Sequence, residues 1–232
     1  PSRGNIYDRT GLAFATHTNA VALGIIRGEI DPDYETILLR ELSQLMGQHP
    51  EGIRSLYEDA QSDWYIPIGE VSSQAVEEKY SLLSTLSGLV MNPYQTRFYV
   101  GGSLGAPHAV GYIALIPEAM EDLYRSRGYR GDEFVGSLGL EGWGEDYLAG
   151  ERGGTLYVAD PGGNIVASLG EKKAYPAQAI TTTLDREFQH QVQASLQGMT
   201  GAIVVLSIHT GEVLAMASAP AFDPNLFDPT NY

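Results

Sequence analysis

Apolar positions recur at two different periods along this chain, and the changes of period cut it into short segments. Ile6 and Tyr7 lead into Asp8-Arg9-Thr10-Gly11, and Leu12 to Ala15 lead out, so Gly4 to Ile26 predicts strand, turn and strand. From Asp31 to Gly47 the period becomes helical: Ile37, Leu38, Leu42, Leu45 and Met46 share one face, Asp31 or Asp33 is placed to cap, and Gly47 to stop the helix. Pro50 to Gln61 predicts a second short helix and Trp64 to Ile68 a strand interrupted by Pro67. Ser72 to Leu86 predicts a third helix opened by serine caps.

Thr96 to Val100 is β-branched and aromatic and reads as a strand; it runs into GGSLGAPHAVGYI, a stretch too glycine-rich for a regular element. Pro117 to Arg127 predicts a helix with proline in its first turn, and GLEGWGEDYLAG seeds a short one. TLYVADPGGNIVASL alternates polar and apolar residues around Asp160-Pro161-Gly162-Gly163, a hairpin pattern. The polar stretch Gly170 to Pro176 reads as a linker. After it come a strand (Ala179 to Leu184), a helix capped by Asp185 (to Leu196), a hairpin from Thr200 and a proline-punctuated run-out. Thr10-Gly11 and Thr210-Gly211 share turn chemistry without marking a repeat. The fold class expected is α+β: an elongated arrangement of hairpins and short helices, then the start of a second domain.

Composition narrows the function. With 14 basic against 29 acidic residues the chain carries a formal charge of -15, which repels phosphate backbones, so nucleic acid is excluded as a partner. No apolar run approaches the roughly 20 residues that span a bilayer, and the amino terminus lacks a signal-peptide pattern. The chain contains no cysteine, which removes disulfides, thiolate metal sites and cysteine nucleophiles.

Candidate chemistry is sparse. Gly101-Gly102-Ser103-Leu104-Gly105 fits G-x-S-x-G, the turn that exposes a hydrolase serine, so a serine hydrolase using Ser103 is the alternative function. Pro107 follows at once and 27 glycines make a chance match easy, which favours a plain glycine loop. Asp31, Asp33 and Glu35 have the spacing of a calcium loop's start but lack its later ligands, and a capped helix start accounts for them more simply. His17, His49, His108, His190 and His209 are scattered; His108 is the one placed to hold the glycine loop by hydrogen bonds. Glu141 and Glu145 fall on one face of a short helix, and the reading favoured for Glu141 is an ion-pair anchor rather than half of a catalytic carboxylate pair. Trp64 and Trp143 could line a sugar site, although aromatic residues at strand and helix positions more often serve the core.

Several stretches, in order, resemble class B penicillin-binding proteins, the monofunctional transpeptidases of bacterial cell-wall synthesis. RGNIYDRTG (Arg3 to Gly11, with Gly4, Asp8 and Arg9) is similar to the R-G-x-I-x-D-R-x-G motif that follows their membrane anchor. RFYVGGSLGAPHAVGYI, with Arg97 and His108, resembles R-x-Y-P-x-G…H-x-x-G-Y, Val100 standing for the proline. GSLGLEGWGEDYLAG, with Gly139 and Glu141, resembles G-x-x-G-L-E…L-x-G, Gly144 replacing a common aromatic. TTTLDREFQ with Asp185, and GAIVVLSIHTGEVLAMASAPAFDPN with Thr210, Gly211 and Glu212, resemble the opening of the transpeptidase domain.

The resemblance implies a division into a non-catalytic pedestal, or dimerisation, domain over residues 1–173 and the truncated amino-terminal portion of a transpeptidase domain over 174–232. It implies a soluble segment on the extracytoplasmic side of the bacterial cell membrane, attached only through an anchor absent from this chain. Its partners would be a membrane glycan polymerase and other cell-wall assembly proteins, with a homodimer left open and no cofactor or metal. Family chemistry uses Ser-x-x-Lys, Ser-x-Asn and Lys-Thr-Gly. The three lysines here, Lys79, Lys172 and Lys173, are preceded at the third position by Val76, Leu169 and Gly170, so Ser-x-x-Lys is missing, no catalytic residue is assigned and the segment is expected to be inactive. The proposed tie is Arg3, Asp8 and Arg9 to Glu141 by charge-assisted hydrogen bonds. Ile203, Val205, Val213, Leu214 and Met216 would be exposed on at least one face once the rest of the sheet is missing.

Overall fold

A computed structural model describes residues 3–226; the run-out beyond Leu226 lies outside the described residues. The chain forms two compact units, one made of Pro1–Thr16 with Arg97–Tyr232 and the other of His17–Thr96. The expected α+β character holds, with small sheets and short helices throughout.

The chain opens with β1 (Ile6–Tyr7) and the long β2 (Ala13–Ile26), paired antiparallel through Ile6↔Ala15 and Tyr7↔Ala13. Asp8 makes the turn between them: its carboxylate accepts from the amides of Thr10 (2.7 Å) and Leu12 (2.8 Å). Gly11 supplies φ +92°, which a side chain would resist.

The unit of residues 17–96 is built on the second half of β2. It contains α1 (Glu35–Met46), α2 (Pro50–Tyr57), β3 (Tyr65–Ser72), α3 (Ser73–Leu83) and most of β4 (Leu89–Tyr99). Residues Ala20 to Ile26 of β2 pair antiparallel with β3, and the register slips next to Pro67, which cannot donate to a ladder. Leu23 and Ile25 of β2, Leu38 and Leu42 of α1, Ile53 of α2 and Leu83 of α3 are buried in one core. Neither Asp31 nor Asp33 caps α1: Tyr34 holds the cap position without a side-chain bond, and Asp31 instead accepts from the Asp33 amide (3.0 Å). Ser72 does cap α3, accepting from Ala75 N.

The other unit continues from the end of β4. The glycine-rich stretch is more regular than its composition indicates, since Gly102–Leu104 forms a 3-10 turn and α4 spans Pro107–Val110. Four glycines in eleven residues bend the chain between them, and three of these, Gly101, Gly102 and Gly111, have positive φ. β5 (Ile113–Leu115) pairs with β6 (Phe134–Gly136) around α5 (Glu121–Ser126), and α6 (Gly139–Trp143) and α7 (Glu145–Leu148) follow. β7 (Gly154–Ala159) and β8 (Ile165–Lys172) form the hairpin on Asp160, whose Oδ1 accepts from Gly162 N and Asn164 N. The segment read as a linker is therefore strand as far as Lys172, and beyond it Tyr175 bridges back to Glu151.

β9 (Ile180–Thr181) pairs parallel with β1. α8 (Arg186–Ser195), capped by Asp185 accepting from Phe188 N, packs on the hairpin of β10 (Gly201–Leu206) and β11 (Val213–Ala219). It covers one side of that hairpin: Ala215 and Ala217 are fully buried, and Ile203, Val205, Val213 and Leu214 half-buried. Val204, Leu206 and Met216 stay exposed, so of the five apolar residues expected to be exposed only Met216 is. A core of Ile6, Phe14, Tyr99, Val110, Leu148 and Leu184 holds this unit together.

Candidate functional site

The densest polar cluster sits inside the unit made of residues 1–16 and 97–232. Glu141, on α6, is completely inaccessible. Its Oε2 accepts from Arg3 Nε (2.6 Å), its Oε1 from Arg97 Nε (2.7 Å) and its main-chain oxygen from Arg3 Nη2 (3.0 Å). Arg97 Nη2 lies 2.7 Å from the same Oε1 but forms no hydrogen bond among the described residues, so toward Glu141 it contributes charge proximity only. Arg97 Nη1 donates to Gly4 O (2.8 Å), tying the first described residues to the end of β4. Glu145, at the start of α7, completes the cluster: Oε2 accepts from Arg3 Nη1 (2.7 Å) and Gly136 N (2.8 Å), and Oε1 from Tyr129 Oη (2.7 Å).

Two guanidinium and two carboxylate groups balance, so the interior carries no net charge, the condition under which buried ions are tolerated. Burial works against the Arg3 charge, yet the Glu141 and Glu145 carboxylates hold its pKa above the ordinary arginine value. Burial, followed by Glu145, pushes the Tyr129 hydroxyl up, so Tyr129 remains a donor. The backbone crowds in as well: a Cβ on Gly136 would lie 1.9 Å from Glu141 O, and one on Gly4 1.9 Å from Gln178 O. Gly144, where an aromatic was the common residue of the resemblance, has no space for one, because Leu140 O and Ile180 lie within 3 Å of a Cβ there.

Of the residues expected to tie to Glu141, Arg3 reaches it and Asp8 and Arg9 do not. Asp8 is spent on its own turn and on Arg186 N (3.1 Å), and Arg9 faces Glu212 (3.4 Å) across the surface. The short Asp8 side chain satisfies donors two to four residues away before it can span to α6. Burial would raise the Asp8 pKa, but hydrogen bonds from the amides of Arg186, Leu12 and Thr10 leave it lowered. Asp185 caps α8, while Thr210, Gly211 and Glu212 form the β10–β11 turn, in which Glu212 N and Thr210 Oγ1 meet at 3.3 Å and Gly211 has φ +75°. Gly139 has φ +58°, and a Cβ there would lie 2.4 Å from Ala109 O.

His108 is exposed and meets the edge of Phe222 (5.1 Å between centroids); its part in the glycine loop is a ring contact rather than a hydrogen bond. Both tryptophans are surface residues: Trp64 is exposed, and Trp143 is exposed and stacked on Tyr147. Ser103 lies half-buried in the 3-10 turn, on the rim of an open pocket of about 600 Å³ lined by Leu104, Gln193, Met199 and Pro220. Among the described residues no hydrogen bond joins Ser103 to a histidine, and none of the pocket-lining side chains is an acid or a base. No group of three potential metal ligands occurs among the described residues, and no helix there is long and apolar enough to cross a membrane.

Two buried glutamines carry a feature that the sequence reading missed. Gln189 and Gln193, one turn apart on α8, face the outer edge of β11, and each carboxamide takes both main-chain groups of one residue. Gln189 accepts from Met216 N (2.7 Å) and donates to Met216 O (3.1 Å); Gln193 does the same with Ser218 (3.3 and 2.8 Å). A helix thereby closes a sheet edge that would otherwise be open to strand addition.

The family model described as the penicillin-binding protein dimerisation domain matches residues 1–182. Penicillin-binding protein 3 of Bacillus subtilis is 31% identical over 98% of this chain and 33% of its own length. The peptidoglycan D,D-transpeptidase MrdA of Escherichia coli is 28% identical over 98% of the chain and 37% of its own. The chain thus spans about a third of the length of these curated relatives. In structure it resembles the penicillin-binding protein PBP2 of Helicobacter pylori, solved in a complex with MreC, with a TM-score of 0.62 and 22% identity over 98% of this chain and 43% of that one.

Proposed function

The chain belongs to the penicillin-binding protein dimerisation-domain family, of the class B type, and we propose from that premise that it is the non-catalytic pedestal of a peptidoglycan D,D-transpeptidase together with the opening of the catalytic domain. Residues 1–173 form the stand, and 174–232 begin the domain that cross-links stem peptides through an acyl-enzyme. In this reading the whole protein binds penicillin and acts on the extracytoplasmic side of the bacterial membrane. The stand holds the catalytic domain in place and contacts cell-wall assembly proteins, among them a membrane glycan polymerase.

The observation that carries the reading is the neutral cluster of Arg3, Arg97, Glu141 and Glu145. It joins the first described residues, the end of β4 and the α6–α7 pair through seven hydrogen bonds in a buried site. Such a cluster performs no chemistry and offers no access to a substrate; what it supplies is fixed relative position. Fluorescent penicillin tests the reading. This chain, which lacks Ser-x-x-Lys, is expected to stay unlabelled while the protein extended through its catalytic domain is labelled. Covalent labelling of the 232-residue chain would overturn the assignment.

A further inference from the structure

The carboxamide device that closes β11 recurs at a place where it joins two distant stretches of chain. Beyond β11 the chain returns to the end of β4, and Asn225 takes both main-chain groups of Tyr99: Oδ1 accepts from Tyr99 N (2.8 Å) and Nδ2 donates to Tyr99 O (2.8 Å). Val100 N bonds to Phe14 O, so it is the opposite edge of the strand's end that Asn225 fills. Asp223 orients the asparagine, its Oδ1 accepting from Asn225 N (2.9 Å) and Nδ2 (3.0 Å). Three residues earlier than Asn225, Phe222 is set edge-on against His108 (5.1 Å) and Tyr112 (5.9 Å), one on α4 and one just after it. A Cβ on Gly102 would lie 2.5 Å from the Asp223 carboxylate, so the glycine is what lets the returning segment lie against the loop.

We propose that Asn225, seated by Asp223 and Phe222, is a positioning latch that fixes the direction in which the chain leaves β11 and thereby the placement of the catalytic domain on its stand. The proposal rests on the pedestal reading above. Tyr99 is itself well anchored: it is 4% exposed, and its hydroxyl accepts from Ile113 N (3.0 Å). The latch is therefore built onto a fixed point of the core, and a carboxamide is the side chain suited to it, because Asn225 must offer an acceptor and a donor at once. Aspartate has the shape but lacks the donor, and it would set a second carboxylate beside Asp223.

Hydrogen exchange and cross-linking test this together, with N225A and N225D in the protein that includes its catalytic domain. The Tyr99 amide is expected to exchange about tenfold faster in N225A, the loss of roughly one hydrogen bond, and by less in N225D, whose carboxylate still accepts from that amide but no longer donates to Tyr99 O, while amides elsewhere in β4 keep their rates. Penicillin acylation should be unchanged, and peptide cross-linking should fall by about tenfold or more, as misplacement of intact groups predicts. Unchanged exchange at Tyr99 in N225A, or faster exchange there with undiminished cross-linking, would overturn the latch. A parallel loss of acylation and cross-linking would also overturn it, since that indicates damage to the catalytic domain itself. An unaltered protein that fails to bind penicillin would instead overturn the pedestal reading, and the positioning role with it.

Discussion

Replacing Glu141 with Gln keeps the shape of the side chain and removes one charge from a site closed to solvent. Glu141 is 0% exposed, and the side chains it neutralises are 2% exposed for Arg97 and 11% for Arg3. In E141Q the cluster holds two guanidinium groups against Glu145 alone, and an amide NH₂ must occupy a place where an arginine donor already points. Removing one partner of a buried pair costs roughly 3–5 kcal/mol. For a unit of this size each kcal/mol is worth roughly 2–4 °C, so the melting temperature of this unit should fall by roughly 6–20 °C. Calorimetry resolves it, and the fluorescence of a W64F variant, leaving Trp143 as reporter, assigns the shifted transition to this unit rather than to that of residues 17–96. The double variant R3Q/E141Q restores charge balance and should recover part of the loss, giving a coupling energy on the order of 1 kcal/mol or more. A melting temperature within 1–2 °C of the unaltered chain, or strictly additive losses, would refute the claim that the cluster holds the unit together.

Other consequences follow from single residues. Because hydrogen bonding leaves the Asp8 pKa lowered in the folded chain, its stabilising contribution is complete above the unfolded carboxylate value of about 3.9 and is lost as pH falls through the folded value; D8N should flatten the acid limb of a stability-against-pH curve below about pH 4. G111A puts a methyl 1.7 Å from Leu138 O on a backbone with φ +81° and should destabilise by more than about 3 kcal/mol, measured by denaturant unfolding, whereas G154A, with nothing within 4 Å and no positive φ, should change little. Leu156 and Val166 of the β7–β8 hairpin are 64% and 66% exposed, so L156S and V166S should each stay within about 0.5 kcal/mol of the unaltered chain in the same assay.

Legibility in the sequence followed the range of the interaction that determines each feature. The α1 face of Leu38 and Leu42, the Asp8 turn and the serine and aspartate caps of α3 and α8 are set within a few residues, and the pattern declares them. β5 and β6 have three residues each, too few for a period to show. In the cluster, Glu141 and Glu145 were visible as a pair on one face, and Arg3 and Arg97 only through motifs. Their separations of 138 and 44 residues from Glu141 lie beyond any local signal. α8 inverts the usual rule, with Gln189 fully buried and Phe188 at 36% exposure, because the sheet edge it covers presents amides and carbonyls rather than side chains. A pattern of apolar and polar letters assigns such glutamines to solvent.

The polar interior also explains why the unit is built this way. A core of leucines in place of Arg3, Arg97, Glu141 and Glu145 would bury more apolar area and is often as stable or more so. It would, however, accept several packings of the α6–α7 pair against β4, because dispersion contacts are weak individually and carry little direction. Hydrogen bonds at 2.6–2.7 Å between charged groups hold one arrangement, and displacement by an ångström leaves a buried ion without its partner. The carboxamides of Gln189, Gln193 and Asn225 work under the same constraint, each matched to one residue's amide and carbonyl. Positional definition of this kind is of most use in an element whose task is to hold another in place, and it accounts for polar groups being kept at the centre of a unit where stability alone would favour apolar ones.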